Sequence, residues 1–358
     1  MSSGSNIKKL LQSVVVHKAS DLHLISKSEP LLRLDGTLKP VNMPPMTGAM
    51  IEEMCYSLIT EKQKKHFEEH NELDFAIEFD SIGRFRANYY RTLGEMAAAF
   101  RVIPIDVPTL DDLHAPEVYK QIIKREKGLI LVTGPTGSGK STTLAAMLNE
   151  INITESKHIV TVEDPVEFVH RNKQSVFSHR GVGEDTESFS IALKYAMRQD
   201  PDIILIGEMR DKETIAAALT AAETGHLVFG TLHTSSAPGT INRIIDVFSG
   251  DEQPQIRAML STSLIAVIAQ ALIPKVKTGR VAASEILITN HAIANLIRED
   301  KVHQIYSSMQ MGQGDSGMIT QTQALLTLVE NRTIDKYIAI QYANKPDELE
   351  KALQRFRG

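Results

Sequence analysis

Apolar positions along the first hundred residues switch between two spacings. Over 6–17, Ile7, Leu10, Leu11 and Val14 recur at helical spacing, which predicts a helix. Segments 49–59 and 61–69 read as further helices. Segments 21–25 and 31–34 read as short strands, followed by the turn signal Asp35-Gly36. Phe75, Ile77 and Phe79 alternate with polar or small residues, as a half-buried strand requires, and 84–90 and 97–103 read as two more strands. This pattern predicts a small α/β domain over residues 1–103. Pro104, Pro108 and Pro116 then punctuate a stretch with few apolar runs, which reads as a linker over 104–116.

From residue 117 the pattern changes. Short apolar runs rich in β-branched residues stand at 129–133, 159–162, 203–206 and 227–231, with helical stretches between them. That alternation predicts a mostly parallel sheet covered by helices, and after residue 288 the chain reads mainly as helix. The longest uncharged stretch is 258–274. It carries Ser261, Thr262, Ser263 and Gln270, and Pro274 ends it. A membrane-spanning helix needs about 20 mostly apolar residues, so this stretch reads as a buried core helix instead.

Composition changes this picture little. The 358 residues are 42% hydrophobic and 23% charged, an ordinary balance for a globular protein and too apolar for a disordered one. Lys and Arg number 39 against 44 Asp and Glu, a net charge of −5 that argues against a nucleic-acid partner. The one cysteine, Cys55, allows no intrachain disulfide and no cysteine-based zinc site, which fits a reducing cytoplasm. The polar start of the chain lacks the apolar core of a signal peptide.

Gly134-Pro135-Thr136-Gly137-Ser138-Gly139-Lys140-Ser141 fits the phosphate-loop pattern at every fixed position. An apolar strand precedes it, and a helix pattern over 142–151, beginning at Thr142, follows. Triphosphate oxygens need many donors at close range. The glycines let backbone N–H groups turn inward, and the helix N-terminus adds the positive end of its dipole. Lys140 is expected to reach the β- and γ-phosphates of ATP and Ser141 to ligate Mg²⁺. Two acidic clusters stand at strand ends, Glu163-Asp164-Pro165 and Gly207-Glu208-Met209-Arg210-Asp211. There carboxylates can orient the attacking water or hold a hydrated Mg²⁺. Gly207 stands where the usual second nucleotide motif has Asp, so carboxylate contact with the metal is expected through water. Glu163 is the first candidate for polarising water and Glu208 the second. His226 and His233 flank the run 227–231 and, from the residues alone, read as structural histidines.

These blocks together resemble the secretion-type ATPases of type IV pili and type II secretion. The resemblance rests on four ordered motifs. They are the phosphate loop, the acidic block Thr161-Val162-Glu163-Asp164-Pro165-Val166-Glu167-Phe168, the block 205–211, and the histidine block Thr224-Gly225-His226-Leu227-Val228-Phe229-Gly230-Thr231-Leu232-His233-Thr234. It implies an N-terminal PAS-like domain, a RecA-like ATPase domain with a helical C-terminal part, and a hexameric ring with ATP between protomers. Arg84, Arg86, Arg91 and Arg101 would otherwise read as a solvated strand face. The resemblance matches Arg86 and Arg101 to arginines that contact the γ-phosphate, and it makes His226 and His233 phosphate sensors. It also implies a cytoplasmic motor peripheral to the inner membrane, acting on a platform protein of the PilC kind and, through it, on pilin. Ala292-Ile293-Ala294-Asn295-Leu296-Ile297-Arg298-Glu299 is similar to the AIRNLIRE motif of retraction ATPases and departs from it at Ala294. An accessory paralogue of the PilU kind is the nearest alternative. A nucleic-acid-translocating ring and a nucleotide-binding scaffold without turnover stand further off.

Overall fold

The computed structural model describes residues 3–34, 36–103, 106–311 and 317–355. Asp35 of the expected turn and Pro104 of the expected linker lie outside them. The chain divides into two compact units, residues 1–106 with 165–169, and residues 107–164 with 170–358.

The first unit is built from α1 (Ser3–Val16), β1 (Asp21–Leu24), β2 (Leu31–Leu34), β3 (Thr37–Pro40), α2 (Gly48–Tyr56), α3 (Glu61–His70), β4 (Glu72–Phe79), β5 (Gly83–Thr92) and β6 (Glu95–Ile103). The strands form one antiparallel sheet in the order β3-β2-β1-β6-β5-β4. Its strict alternation produces two unlike faces. Leu22, Leu32, Phe75, Ala87 and Phe100 point to one side, into a core shared with Ile7, Leu11, Ile51 and Phe67 of the helices. Asp21, Arg33, Arg86 and Arg101 occupy the other side. The short strand β3 has no counterpart in the sequence pattern, because its four residues are all exposed and carry no apolar alternation. Cys55 is buried in this core, and burial pushes its thiol up to about 12.

The second unit starts with α4 (Val118–Ile122), then β7 (Gly128–Thr133), α5 (Lys140–Thr154), β8 (His158–Glu163), β9 (Val176–Gly181), α6 (Phe189–Ala196), β10 (Ile203–Ile206), α7 (Lys212–Glu223) and β11 (Leu227–Leu232). It continues with α8 (Ala237–Asp246), α9 (Gln253–Ser263), β12 (Leu264–Pro274), β13 (Arg280–Ile288), α10 (His291–Arg298), α11 (Ile305–Met311), α12 (Gln321–Glu330), α13 (Lys336–Tyr342) and α14 (Pro346–Arg355). The sheet order is β13-β12-β7-β11-β10-β8-β9. All neighbours run parallel except β12 and β13. Every residue of β7, β10 and β11 is buried, since helices cover both faces. The expected doubly covered sheet and the helical last part are both present. Residues 107–116 fold with this unit, and Leu110 is fully buried in its core.

One expectation fails. The stretch 258–274 is not a single core helix. It is the end of α9 followed by the eleven-residue strand β12, which pairs with β7 and β13. A strand buried on both faces is a continuous apolar run, and periodicity cannot tell it from a buried helix. The β-branched Ile265, Val267 and Ile268 were the local signal for a strand. Among the described residues no helix is long and apolar enough to cross a membrane.

Candidate functional site

The carboxyl ends of β7, β8, β10 and β11 carry the candidate residues of the second unit other than His226. The four strands are in register. Val162 of β8 pairs with Ile206 of β10, and Ile206 with Gly230 of β11. One residue further on, Glu163, Gly207 and Thr231 therefore form the next row across the sheet.

The loop 134–139 leaves β7 and enters α5, whose N-cap is Gly139 at φ 89°. Gly134 has φ 143°, a region that only glycine enters easily. Pro135, Thr136 and Gly137 are exposed, while Gly139, Lys140, Ser141 and Thr142 are half-buried. The Lys140 ammonium donates to the carbonyl oxygens of Gly134 (2.8 Å) and Pro135 (3.3 Å), so it folds back over the loop. Ser138 Oγ is buried and has no hydrogen-bond partner among the described residues. A run of glycines, a lysine folded over it, the N-terminus of a 15-residue helix and an orphaned hydroxyl together fit a polyphosphate. Mg²⁺ fits as well. It takes hard oxygen ligands, usually one or two from protein and the rest from phosphate and water. The Ser141 hydroxyl and the carboxylates of Glu163 and Glu208 supply that donor set. The described residues hold no cluster of three or more His, Cys, Asp and Glu that could hold a metal.

Glu163 is the last residue of β8 and is 9% exposed. Gly207 lies beside it, and its N–H donates to Val162 O (2.8 Å). A Cβ at Gly207 would stand 3.2 Å from both Val162 O and Glu163 Cα. An Asp there, as in the usual motif, would crowd the Glu163 backbone; glycine leaves the strand end to Glu163.

The segment after β10 is tied to β11. Met209 N–H donates to Thr231 O (3.0 Å), and the Thr231 hydroxyl donates to Gly207 O. These ties bring Glu208 to His233, with Nε2 2.9 Å from Glu208 Oε1. Arg210 pairs with the same carboxylate oxygen through Nε. Glu208 and His233 are thus brought together by structure although 25 positions separate them in the chain. The motif pattern quotes Arg210 without giving it a role; its position two residues after Glu208 is the only signal for the pair.

His226 is elsewhere. It precedes β11, and its Nδ1 lies 3.0 Å from Ala221 O at the end of α7. Gly128 N–H, at the start of β7, donates to His226 O (3.0 Å). It therefore sits at the amino end of the sheet, with the length of β11, on the order of 20 Å at about 3.3 Å per residue, between it and His233. Within one chain the structure does not bring His226 to the phosphate loop.

In the first unit the structure places Arg86 and Arg101 directly opposite each other on β5 and β6. Arg101 Nε donates to Asp21 Oδ1 (2.9 Å), and Arg33 Nε lies 3.8 Å from Asp21 Oδ2. Arg86 is bidentate on Asp74, with Nε 3.1 Å from Oδ1 and Nη2 2.5 Å from Oδ2. Burial pushes the Asp21 carboxyl up, but the Ser20 hydroxyl and the Arg101 guanidinium outweigh it and hold the group below its usual value. Arg91 faces the opposite way, over the ring of Phe67.

Comparison with known proteins identifies the family. The family described as type II/IV secretion system protein matches residues 4–333. The type IV pilus retraction ATPase PilT of Pseudomonas aeruginosa is 50% identical over 342 residues, covering 96% of this chain and 99% of that protein. The type IV pilus ATPase PilU of the same organism is 36% identical over 343 residues, covering 96% and 90%. The crystal structure of the pilus retraction motor PilT with bound ADP superposes with a TM-score of 0.90 at 46% identity, covering 96% of this chain and 99% of that one. With a family match over nearly its whole length, the chain belongs to the type II/IV secretion system protein family.

Proposed function

We propose that this protein is an ATP-hydrolysing motor that powers type IV pilus retraction, and that it works as a hexameric ring. The observation that supports the catalytic part is that the loop 134–139, Glu163, and the contacting pair Glu208 and His233 all follow the carboxyl ends of strands of one sheet. The direction of work, retraction, rests on 50% identity to a retraction ATPase against 36% to the PilU paralogue.

In this reading the N–H groups of Thr136, Gly137, Gly139, Lys140, Ser141 and Thr142 surround the phosphates of ATP. Lys140 exchanges its loop carbonyls for phosphate oxygens. Ser141, and Glu163 and Glu208 through water, would hold Mg²⁺, which would supply charge neutralisation on the phosphates. Glu163, nearly buried at its strand end, accepts the proton of the attacking water. His233 and Arg210 hold the Glu208 carboxylate in one orientation, and His233 acts as the sensor of the γ-phosphate. Arg86 and Arg101 bring planar, permanently charged groups to the phosphoryl oxygens, where charge spreads during transfer. His226, at the far end of β11, serves a neighbouring protomer or the relay between sites around the ring. Residues 1–103 act as the N-terminal domain and 117–358 as the motor domain; the hinge expected over 104–116 does not take in 107–116, which pack with the motor domain. The partners are a platform protein of the PilC kind at the inner membrane and, through it, pilin.

Lys140→Ala tests the site. Phosphate release should fall by at least about a hundredfold, the scale of losing one major charge-stabilising group; unchanged release would remove the loop from the mechanism. A deletion strain tests the direction. It should still make pili but fail to retract them, whereas loss of pili altogether would point to extension.

A further inference from the structure

β12 is apolar along its length except for Gln270. A buried amide must find partners, and Gln270 is 5% exposed. Its Nε2 donates to Ser138 O (2.7 Å), and its Oε1 accepts from the Thr143 hydroxyl (2.9 Å). A carbonyl oxygen can only accept, so the amide has one workable orientation. It spans the end of the phosphate loop and the first turn of α5. The approach is close. A Cβ on Gly134 would stand 2.2 Å from Gln270 O, and one on Gly139 would stand 2.8 Å from Gln270 Nε2. Both glycines are thus required by β12 as well as by any ligand.

We infer that Gln270 is a positioning residue for the phosphate loop, aiming the Gly139 N–H at the bound polyphosphate. The inference rests on the reading of residues 134–141 as the nucleotide site. In a trans peptide the C=O and the following N–H point to opposite sides. Gln270 pins the Ser138 carbonyl toward β12, so the Gly139 N–H faces the other way, into the cradle with the first-turn donors of α5. Without that pin the Ser138–Gly139 peptide can rotate, and a donor meant for phosphate turns out of reach. The Thr143 hydroxyl keeps the amide from swinging. Gln270 touches no reacting atom; it acts through the loop backbone.

The test uses the full-length chain and a fluorescent ADP analogue, with affinity measured between about pH 5.5 and pH 8. Gln270→Met removes both hydrogen bonds at nearly constant volume and should weaken binding about tenfold or more at every pH. Gln270→Glu is the informative variant. Protonated, its carboxyl donates to Ser138 O as the amide does; ionised, it cannot donate and sets a negative charge beside the loop. Its affinity should approach wild type at the acid end and fall about tenfold further than wild type toward pH 8. Charge repulsion alone would also make the Gln270→Glu ratio depend on pH, so Gln270→Met, which adds no charge, must weaken binding too for the positioning role to stand. A Gln270→Glu to wild-type affinity ratio that stays flat across pH would overturn the inference, as would Gln270→Met binding like wild type. Should Gln270→Met fail to fold, Gln270→Leu, also uncharged and unable to donate to Ser138 O, takes its place. Because the readout is ADP affinity, it stands apart from turnover. A wild-type protein that binds ADP but releases no phosphate would end the motor reading and leave this one intact.

Discussion

Asp21 shows how one residue joins packing to the candidate chemistry. It lies on β1 directly opposite Arg33 on one side and Arg101 on the other, so a single buried carboxylate fixes two guanidinium groups. Its folded-state pKa is held below the unfolded value of about 3.9. A carboxylate with a depressed pKa stabilises the fold fully above the unfolded value, and that contribution is lost as pH falls through the folded one. Asp21→Asn should therefore have a lower thermal midpoint than wild type near pH 7, and the gap should close as pH drops below about 4. A gap that is the same at pH 7 and pH 3 would show that the ion pair contributes nothing through its charge. The pairing was invisible in the sequence. Eighty positions separate Asp21 from Arg101, and only strand register makes them neighbours.

At the scale of the element, β12 and the loop it backs are one construction. Gly134 combines a φ of 143° with a Cβ position 2.2 Å from the backbone oxygen of Gln270. Backbone cannot step aside as a side-chain tip can. Gly134→Ala should cost about 2 kcal/mol or more in stability, from strain and overpacking together, and should lower nucleotide affinity as the loop shifts. Chemical denaturation with and without ADP measures both; an alanine variant with wild-type stability would mean that the loop has room that the geometry denies it. The turn from β7 into α5 over 134–139 was fully legible in the sequence, because it depends on local residue order. The strand behind it was not. An uninterrupted apolar run has no period, and Gln270, the polar residue inside it, gained meaning only when its partners Ser138 and Thr143 came into view. A polar side chain within a buried run was the available hint that something nearby needed it.

For the whole molecule, Arg86 and Arg101 belong to one compact unit and the phosphate loop to the other. If both serve one ATP in a ring, the working enzyme is the assembly. Purified protein with ATP should then form particles of six chain masses, and phosphate release per chain should rise with concentration over the range where the particles assemble. Release per chain that is independent of concentration, from a particle of one chain mass, would sink the ring. The sequence by itself determined the α/β class, most of the strands and helices, the phosphate loop and the order of the four motifs, because spacing and local chemistry are written along the chain. Tertiary structure alone decided that Glu208 meets His233, that Arg86 and Arg101 stand side by side, each on its own aspartate, that His226 sits at the opposite end of its strand, and that 264–274 is a strand. Those facts depend on register and on which end of a sheet a residue occupies, and contacts between distant segments settle both.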